Sequence, residues 1–317
     1  MLGLPHRFGV VICLPLLLSA LVVQFVVPNA ANRSAALGDL EGLSLTQRRA
    51  FDPRGFQPIR APGGLDWLAN HRELGQGMDE FVSSRPNVPD NRRKKIYMIP
   101  IGYLDRQGGP PVARLVEFSH AFFGLEAADL PGLDLRKAHV TKRRLSPATA
   151  EQILTTDVLA LLKERLPGDA FALLGVTMED LYPAEDWNYV FGQASLRDRV
   201  GIYSFARYNR AQNGEKGMDV DRLLLRRSCH ILAHEAGHMF GVAHCVWYQC
   251  VMNGSNHIQE FDSQPLHLCP VDLRKLQWSV RFDAVERYKR LLAFSERAGF
   301  RNDAEWLRSR LKVIEGN

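Results

Sequence analysis

The length and composition of this chain are those of a folded globular protein. It has 317 residues, of which 46% are hydrophobic and 24% charged, which allows one large domain or two modest ones and excludes a disordered chain. The 40 Lys and Arg residues outnumber the 35 Asp and Glu residues and give a net charge of +5. Because this excess is scattered along the chain, the sequence predicts no nucleic-acid partner.

The N-terminal part contains one long apolar segment. Phe8–Val27 has no charged residue and follows Arg7, which indicates an export signal or a membrane anchor and predicts an extracytoplasmic protein. Ser34–Ala36 offers a small-residue cleavage site, so residues 1–36 are predicted to be a signal peptide or an anchor, with both alternatives open. Residues 37–91, rich in Pro, Gly and Arg, are predicted to form a linker or an irregular N-terminal extension.

Strands and helices alternate after this extension. Short apolar runs indicate buried strands, and apolar residues at helical spacing indicate amphipathic helices. Such alternation is typical of an α/β (α+β) fold in which a twisted mixed sheet packs on helices, here over residues 92–280. The predicted elements are the strand Ile96–Gly102, the helix Pro111–Phe123, the strand Ala138–Arg143, the helix Ser146–Leu166 and the strand Phe171–Thr177.

Two further apolar runs predict a β-hairpin. Tyr189–Ser195 and Val200–Ser204 are joined by the charged loop Leu196–Arg199. Val190–Ser195 is the candidate edge strand, which an extended peptide can pair with through its backbone. An ordinary surface hairpin remains the alternative.

The motif HExxHxxGxxH follows. His234 and His238 are four residues apart, so on a helix they lie on the same face and can bind one metal ion. Glu235 is placed to accept a proton from water at that metal without binding the ion itself. Gly241 can end the helix in a left-handed turn that brings His244 back as a third ligand. Three neutral imidazoles with a fourth position open to water are typical of a catalytic zinc site.

Three residues beyond the HExxH part of the motif, Gly241, His244 and Met252, strengthen this interpretation. An amphipathic helix with solvated histidines is the alternative, and it would require neither Gly241 nor His244. Met252 lies eight residues past His244, where the long form of the motif has the methionine of a tight turn. His230, one turn before His234, is interpreted as a packing or supporting histidine.

The stretch from His234 to Cys269 resembles the archaemetzincins. After HExxHxxGxxHC come four residues, Cys250, one residue, Met252 and then sixteen residues to Cys269. The resemblance covers roughly Asn188–Leu276 most specifically. It implies a zincin-like fold, with an active-site helix and a Met-turn C-terminal subdomain, and zinc metallopeptidase activity.

The same resemblance implies a second zinc ion. In the family, the run ends in Cys-x-x-Cys and four cysteines hold a structural zinc, but here Asp272 stands at the last position. We expect a site of three cysteines with Asp272, His257 or His267 as fourth ligand, weaker than a four-cysteine site. A disulfide among the cysteines is the alternative in an oxidising compartment. The three cysteines are Cys245, Cys250 and Cys269.

The end of the chain, residues 281–317, is predicted to form a helical hairpin. Asp283 and Glu286, and again Asn302 and Glu305, have the spacing of a capping box. Each pair precedes a pattern of apolar residues at helical spacing, so two helices are expected.

Taken together, these features predict a zinc-dependent peptidase acting on a peptide or protein substrate. His234, His238 and His244 bind the catalytic zinc and Glu235 is the general base. Two alternatives remain. One is a catalytically silent zinc protein that binds a peptide or partner, against which the intact Glu235 argues. The other is a zinc hydrolase of non-peptide amides, which would share every residue of the motif.

Overall fold

The computed structural model describes residues 25–102, 108–146, 149–208 and 218–316. The predicted apolar segment Phe8–Val27 lies outside these ranges except for its last three residues. Within the four ranges, no helix is both long and apolar enough to cross a membrane.

Helices occur along the whole described chain, whereas the strands lie between residues 95 and 204. The helices are α1 Ala30–Leu37, α2 Leu45–Ala50, α3 Trp67–Asn70, α4 Met78–Ser83, α5 Val112–Phe123, α6 Thr155–Glu164, α7 Met218–Met239, α8 Ile258–Ser263, α9 Pro270–Val280, α10 Ala284–Ala298 and α11 Arg301–Glu315. The strands are β1 Lys95–Ile101, β2 Glu126–Asp129, β3 Lys142–Arg143, β4 Gln152–Leu154, β5 Ala170–Thr177, β6 Asp180–Tyr182, β7 Gly192–Ser195 and β8 Val200–Ser204.

The main sheet has five strands in the order β2-β1-β5-β8-β7. The first four run parallel, and β7 is antiparallel to β8 with Gly192 opposite Tyr203. The predicted hairpin is therefore present, although its first strand begins at Gly192 and not at Tyr189. In the sheet that the described residues form, β7 lies at the edge. A smaller sheet has the order β3-β4-β6. The main sheet contains parallel and antiparallel strands, and together with the helices it confirms the predicted α/β class.

Helices cover both faces of the main sheet. Side chains of the central strand, β5, alternate between two apolar clusters, because successive residues of a strand point to opposite faces of the sheet. Leu174 of β5 shares a cluster with Leu115 of α5 and Leu232 of α7, whereas Leu173 shares the other cluster with Leu162 of α6. The central strand is buried at every position, as its continuous apolar run predicts.

Two predicted helix boundaries are wrong. The helix predicted from Ser146 begins at Thr155, because the residues before it form β4, which pairs in parallel with β6. The preceding strand is shorter than predicted and covers only Lys142–Arg143. Near the C-terminus, α11 begins at Arg301 rather than after Asn302, whereas Asp283 caps α10 through the backbone N–H of Glu286 as predicted.

The two ends of the described chain pack on the same core as α7. One apolar cluster contains Phe240, which directly follows α7, together with Phe51, Phe81 and Phe294. Arg310 of α11 is buried, and its guanidinium donates to three backbone carbonyl groups at the end of α2 and in the turn after it. Residues 37–91 and 281–317 thus contribute directly to the core that supports the motif, and the predicted domain boundaries stay predictions.

Candidate active site and metal centres

The end of α7 brings three histidine rings together. His234 and His238 occupy its last turns, and the helix ends at Met239. Gly241 then adopts a φ of 84°, and a Cβ at this position would lie 2.9 Å from the Cβ of Pro86, so a glycine is needed here. After this turn, the ring of His244 lies with its centroid 5.2 Å from that of His234 and 5.1 Å from that of His238.

Each histidine of this group is held by a hydrogen bond at Nδ1. Since the partners are carbonyl and carboxylate oxygens, which only accept, Nδ1 is the donor in each bond, and in a neutral ring this leaves the lone pair on Nε2. The Nε2 atoms of His234 and His238 lie 3.1 Å apart. The three bonds run from His234 to the Val251 carbonyl (2.8 Å), from His238 to the Val242 carbonyl (2.7 Å) and from His244 to Glu73 Oε1 (2.8 Å).

This arrangement fits a zinc ion. Two lone pairs that face each other at 3.1 Å repel unless a cation lies between them. Zinc–nitrogen bonds of about 2.0–2.1 Å at a tetrahedral angle would separate the two nitrogens by about 3.3 Å. Burial lowers the pKa of His234 and lowers that of His238 to about 4, so both rings are neutral, as metal ligation requires.

Glu235 lies in the same cleft as the histidines. Removal from solvent raises the pKa of its carboxyl group to about 7, and the neighbouring His244 opposes this effect. A carboxylate of this kind can accept a proton near neutral pH and release it again. A divalent cation on the histidines would favour its ionised form.

The cleft has a volume of about 390 Å³ and is bordered by β7. The bond from the Ser204 N–H to the Phe191 carbonyl, with the register of β7 on β8, makes Gly192 and Ala194 the non-hydrogen-bonded positions. Their backbone N–H and C=O groups therefore point away from β8. The aromatic residues that line the cleft are Trp67, Trp187, Tyr189, Phe191, Tyr208 and Phe261.

Met252 packs against α7 at Gly237. It is fully buried, and its Sδ atom would be 2.5 Å from a Cβ at Gly237. A glycine at 237 is therefore required for the close approach of Met252 to α7. The backbone carbonyl of Met252 accepts from the N–H of Cys245. This bond connects the turn at Met252 to Cys245, the residue directly after the motif.

A second group of ligand atoms is formed by three cysteines and Asp272, all buried. Cys245 Sγ lies 3.6 Å from Cys269 Sγ, and Asp272 Oδ2 lies 3.3 Å from Cys250 Sγ and 3.5 Å from Cys269 Sγ. Tetrahedral zinc with bonds of about 2.3 Å to sulfur and 2.0–2.2 Å to oxygen would separate such atoms by about 3.6–3.8 Å. The described cysteines are free thiols, and the donor set fits zinc.

Lys275 neutralises part of the charge of this group. Its Nζ atom lies 2.8 Å from Asp272 Oδ1, and both side chains are almost completely excluded from solvent, at 1% and 0% exposure. Burial raises the pKa of Asp272 to about 7. Asp272 thus directs one carboxylate oxygen to the thiols and the other to the ammonium group of Lys275. Both residues lie in the first two turns of α9.

The comparison with known proteins decides the family. Archaemetzincin-2 of Rattus norvegicus is 38% identical over 273 residues, which cover 77% of this chain and 76% of that protein. This chain belongs to the archaemetzincin family. Its residues 129–278 match Peptidase family M54, and archaemetzincin-2 of Homo sapiens is 37% identical with the same coverage. This chain is also similar to the archaemetzincin of Methanopyrus kandleri, for which a crystal structure is known. The two sequences are 27% identical, and the match covers 62% of this chain and 99% of that chain with a TM-score of 0.46.

Membership of this family makes the chain a zinc metallopeptidase, as the motif predicted. The other candidate histidines lie away from both ligand groups of this archaemetzincin. His257 pairs with Asp66 at 3.0 Å, and His267 stacks on Trp306 at 3.6 Å between ring centroids. His230 is buried against Phe261, which agrees with its interpretation as a packing residue.

One residue of the site was not found by sequence reasoning. Glu73 lies in the stretch that was predicted to be a linker, 171 positions before the histidine it contacts. A lone carboxylate in an irregular stretch carries no periodic signal, so only the folded chain reveals its position. Its side chain is 25% exposed and that of His244 is 11% exposed.

Proposed function

We propose that this archaemetzincin hydrolyses peptide bonds with His234, His238 and His244 as ligands of one catalytic zinc and Glu235 as general base. The observation that carries the proposal is the convergence of three imidazoles, each hydrogen-bonded at Nδ1 to an oxygen acceptor, beside a carboxylate in one cleft. Neutral imidazoles with free Nε2 lone pairs suit a metal ion, and a carboxylate next to them suits proton transfer.

The residues divide the chemistry between them. Zinc, when bound, supplies Lewis acidity that lowers the pKa of water and polarises the scissile carbonyl group. Glu235 takes the proton of the attacking water and passes it to the leaving amine. The hydrogen bonds at Nδ1 keep the three rings oriented, and Met252 packs against α7 at Gly237.

The substrate is an extended peptide that pairs with β7. Gly192 and Ala194 offer outward-facing backbone groups along the edge of the sheet, and Gly192 also lines the cleft. Main-chain pairing of this kind is indifferent to sequence, and pockets add selectivity for side chains. The aromatic walls of the cleft favour apolar or aromatic side chains near the scissile bond.

A second, structural zinc is part of the proposal. Cys245, Cys250 and Cys269 would hold it with Asp272 as fourth ligand, because the four ligand atoms lie within 4.8 Å of one another. Thiolate ligands suit zinc, and one carboxylate oxygen is tolerated with weaker binding. The site links the turn after the motif to the start of α9 and so supports the floor of the cleft.

We also propose an extracytoplasmic location, with Phe8–Val27 as export signal or anchor. Support comes from its uncharged sequence. The proposed cleavage site Ser34–Ala36 lies inside α1, whose Ala36 is buried and whose N-cap Asn29 forms a capping box with Asn32. Cleavage after Ala36 would remove a helix that packs on the core, which favours retention of this helix in the mature protein.

Peptide-library profiling by mass spectrometry tests the proposed reaction. The purified protein should cut peptides and Glu235→Ala should not, although both retain metal at the histidines. Turnover of small non-peptide amides without any peptide cleavage would favour the amide hydrolase instead. Binding of peptides without turnover of either substrate would favour the silent module.

A further inference from the structure

The segment Gly63–Gln76, which precedes the predicted peptidase domain, runs along one wall of the active-site cleft. Trp67 of this segment lines the cleft. Its indole meets the ring of His244 edge-on at 5.1 Å between centroids and stacks on the ring of His71 at 3.6 Å. An N-terminal aromatic residue is thus in contact with the third candidate zinc ligand.

The N-terminal side of this segment is fixed to the region around α8. Asp66 pairs with Nε2 of His257 at 3.0 Å and accepts from the N–H of Gly63 at 2.7 Å. The backbone N–H of Trp67 donates to Glu260 at 2.9 Å. These bonds hold Trp67 in position at the wall of the cleft.

The C-terminal side is fixed to the turn that carries His244. The side-chain amide of Gln76 donates to the carbonyl of Gly241 at 3.2 Å, and its oxygen accepts from the N–H of Ala243 at 3.1 Å. The indole N–H of Trp247 donates to the Gln76 carbonyl. Because both sides of the segment Gly63–Gln76 are anchored, the residues between them have a fixed position relative to His244.

Glu73 uses this fixed position to hold His244. Its Oε1 atom accepts from Nδ1 of His244 at 2.8 Å and from the indole N–H of Trp67 at 2.9 Å. The other two histidines of the group donate to backbone carbonyls, so His244 differs from them in having a charged acceptor. A carboxylate accepts a stronger hydrogen bond than a neutral carbonyl.

We propose that Glu73 is a positioning residue for the third zinc ligand, so that the segment Gly63–Gln76 completes the catalytic metal centre. The inference rests on the proposed function, because it requires zinc on the three histidines. Glu73 keeps the proton of His244 on Nδ1, directs Nε2 toward the other rings and makes the imidazole a better electron donor. Glu73 acts through His244 and contacts neither the metal nor the substrate.

Zinc affinity tests the role of Glu73 without reference to activity. The metal-free protein is titrated with zinc in competition with a chelator, for wild type, Glu73→Ala, Glu73→Gln and Glu41→Ala. Loss of a carboxylate that supports a ligating histidine typically weakens metal binding by about 10–100-fold, and we expect this for Glu73→Ala at the histidine site. Glu73→Gln should lose less, because its amide oxygen still accepts from Nδ1. Glu41 is exposed in the same N-terminal extension, and its substitution should leave the affinity unchanged.

Cobalt(II) in place of zinc supplies a spectroscopic test. Cobalt on nitrogen ligands and cobalt on thiolates absorb differently, so the histidine and cysteine sites can be followed separately. In Glu73→Ala, the bands of the histidine site should shift or weaken while the thiolate bands stay as in wild type. If Glu73→Ala does not fold, the thiolate bands are lost as well and Glu73→Gln decides, with a smaller shift expected.

Two outcomes overturn the inference, and they are distinguishable. A wild-type protein that binds no metal at the histidines would overturn the proposed function and this inference together. Wild-type zinc affinity and an unchanged cobalt spectrum in Glu73→Ala, or in Glu73→Gln where the alanine variant does not fold, would overturn the role of Glu73 alone.

Discussion

At the scale of single residues, Asp272 sets the strength of the proposed second metal site. It replaces a thiolate with a harder oxygen ligand, which binds zinc less well. Asp272→Cys should therefore bind the second zinc about tenfold more tightly or better, a difference of about 1.4 kcal/mol. Lys275 would then face a thiolate, so its charge would stay compensated.

Chelator competition on the purified protein measures this change. Asp39→Cys adds a thiol at an exposed position and serves as the control, because it leaves the cysteine group untouched. If Asp272→Cys and wild type release the second zinc at the same chelator concentration, Asp272 is not a ligand.

The ion pair between Lys275 and Asp272 predicts a large effect on stability. Removal of one partner from a buried pair leaves an uncompensated charge and costs about 3–5 kcal/mol. Lys275→Met should lower the free energy of unfolding of the metal-free protein by this amount at alkaline pH. The pH matters because burial raises the pKa of Asp272 to about 7, and only the ionised carboxylate leaves a charge without a partner.

Urea unfolding of a second lysine variant is the control for this measurement. Lys289 is exposed and pairs loosely with Glu286 and Glu315, at 3.7 and 3.5 Å, so Lys289→Met should change stability by less than about 1 kcal/mol. Equal stability of the two variants would mean that the buried pair contributes nothing.

Sequence reasoning could locate the residues whose arrangement is local. His234 and His238 are fixed by helix periodicity, and His244 follows from the turn at Gly241. The choice of Asp272 over two histidines as the neighbour of the cysteines depends on packing, and sequence spacing left it open. Glu73 joins the site only through the course of the whole N-terminal segment, for which the sequence carries no periodic signal.

At the scale of secondary-structure elements, β7 is the strand that should bind substrate. The N–H of Ala194 points away from β8, whereas that of Gln193 points toward it. A proline is tolerated at an edge strand where the missing N–H faces outward. Ala194→Pro should therefore keep its unfolding temperature but lose one hydrogen bond to the peptide.

Kinetics on a cleaved peptide test this expectation. One net hydrogen bond contributes about 0.5–1.5 kcal/mol, so kcat/KM should fall by about two- to tenfold. Gln193→Pro is the comparison, because it removes a donor that faces β8 and should lower stability instead. Unchanged kcat/KM in Ala194→Pro would show that the peptide does not pair with this part of β7.

Element types were easier to predict than element boundaries. The apolar runs that form β1 and β5 and the spacing that forms α5 are strong local signals, and all three elements are present. The start of α6 was misplaced because Gln152–Leu154 pairs with β6, a contact between distant parts of the chain that helix-capping rules do not include.

At the scale of the whole molecule, the proposed location can be tested by fractionation. The uncharged segment Phe8–Val27 ends shortly before α1, which begins at Ala30 and packs on the core. The folded part should be protected from a protease added on the cytoplasmic side, and the mature N-terminus should lie before Ala30. Full-length protein that is soluble in the cytoplasm would contradict the proposal.

The central claim is that three histidines hold the catalytic zinc while Glu235 transfers protons, and zinc content measured together with peptide turnover tests it most directly. Glu235→Ala should retain the zinc content of wild type and lose turnover by a factor of about 10²–10⁴, the usual contribution of a general base. His244→Ala should bind about one zinc fewer per chain, because it removes one of three protein ligands. Loss of zinc from Glu235→Ala, or turnover close to that of wild type in this variant, would contradict the claim.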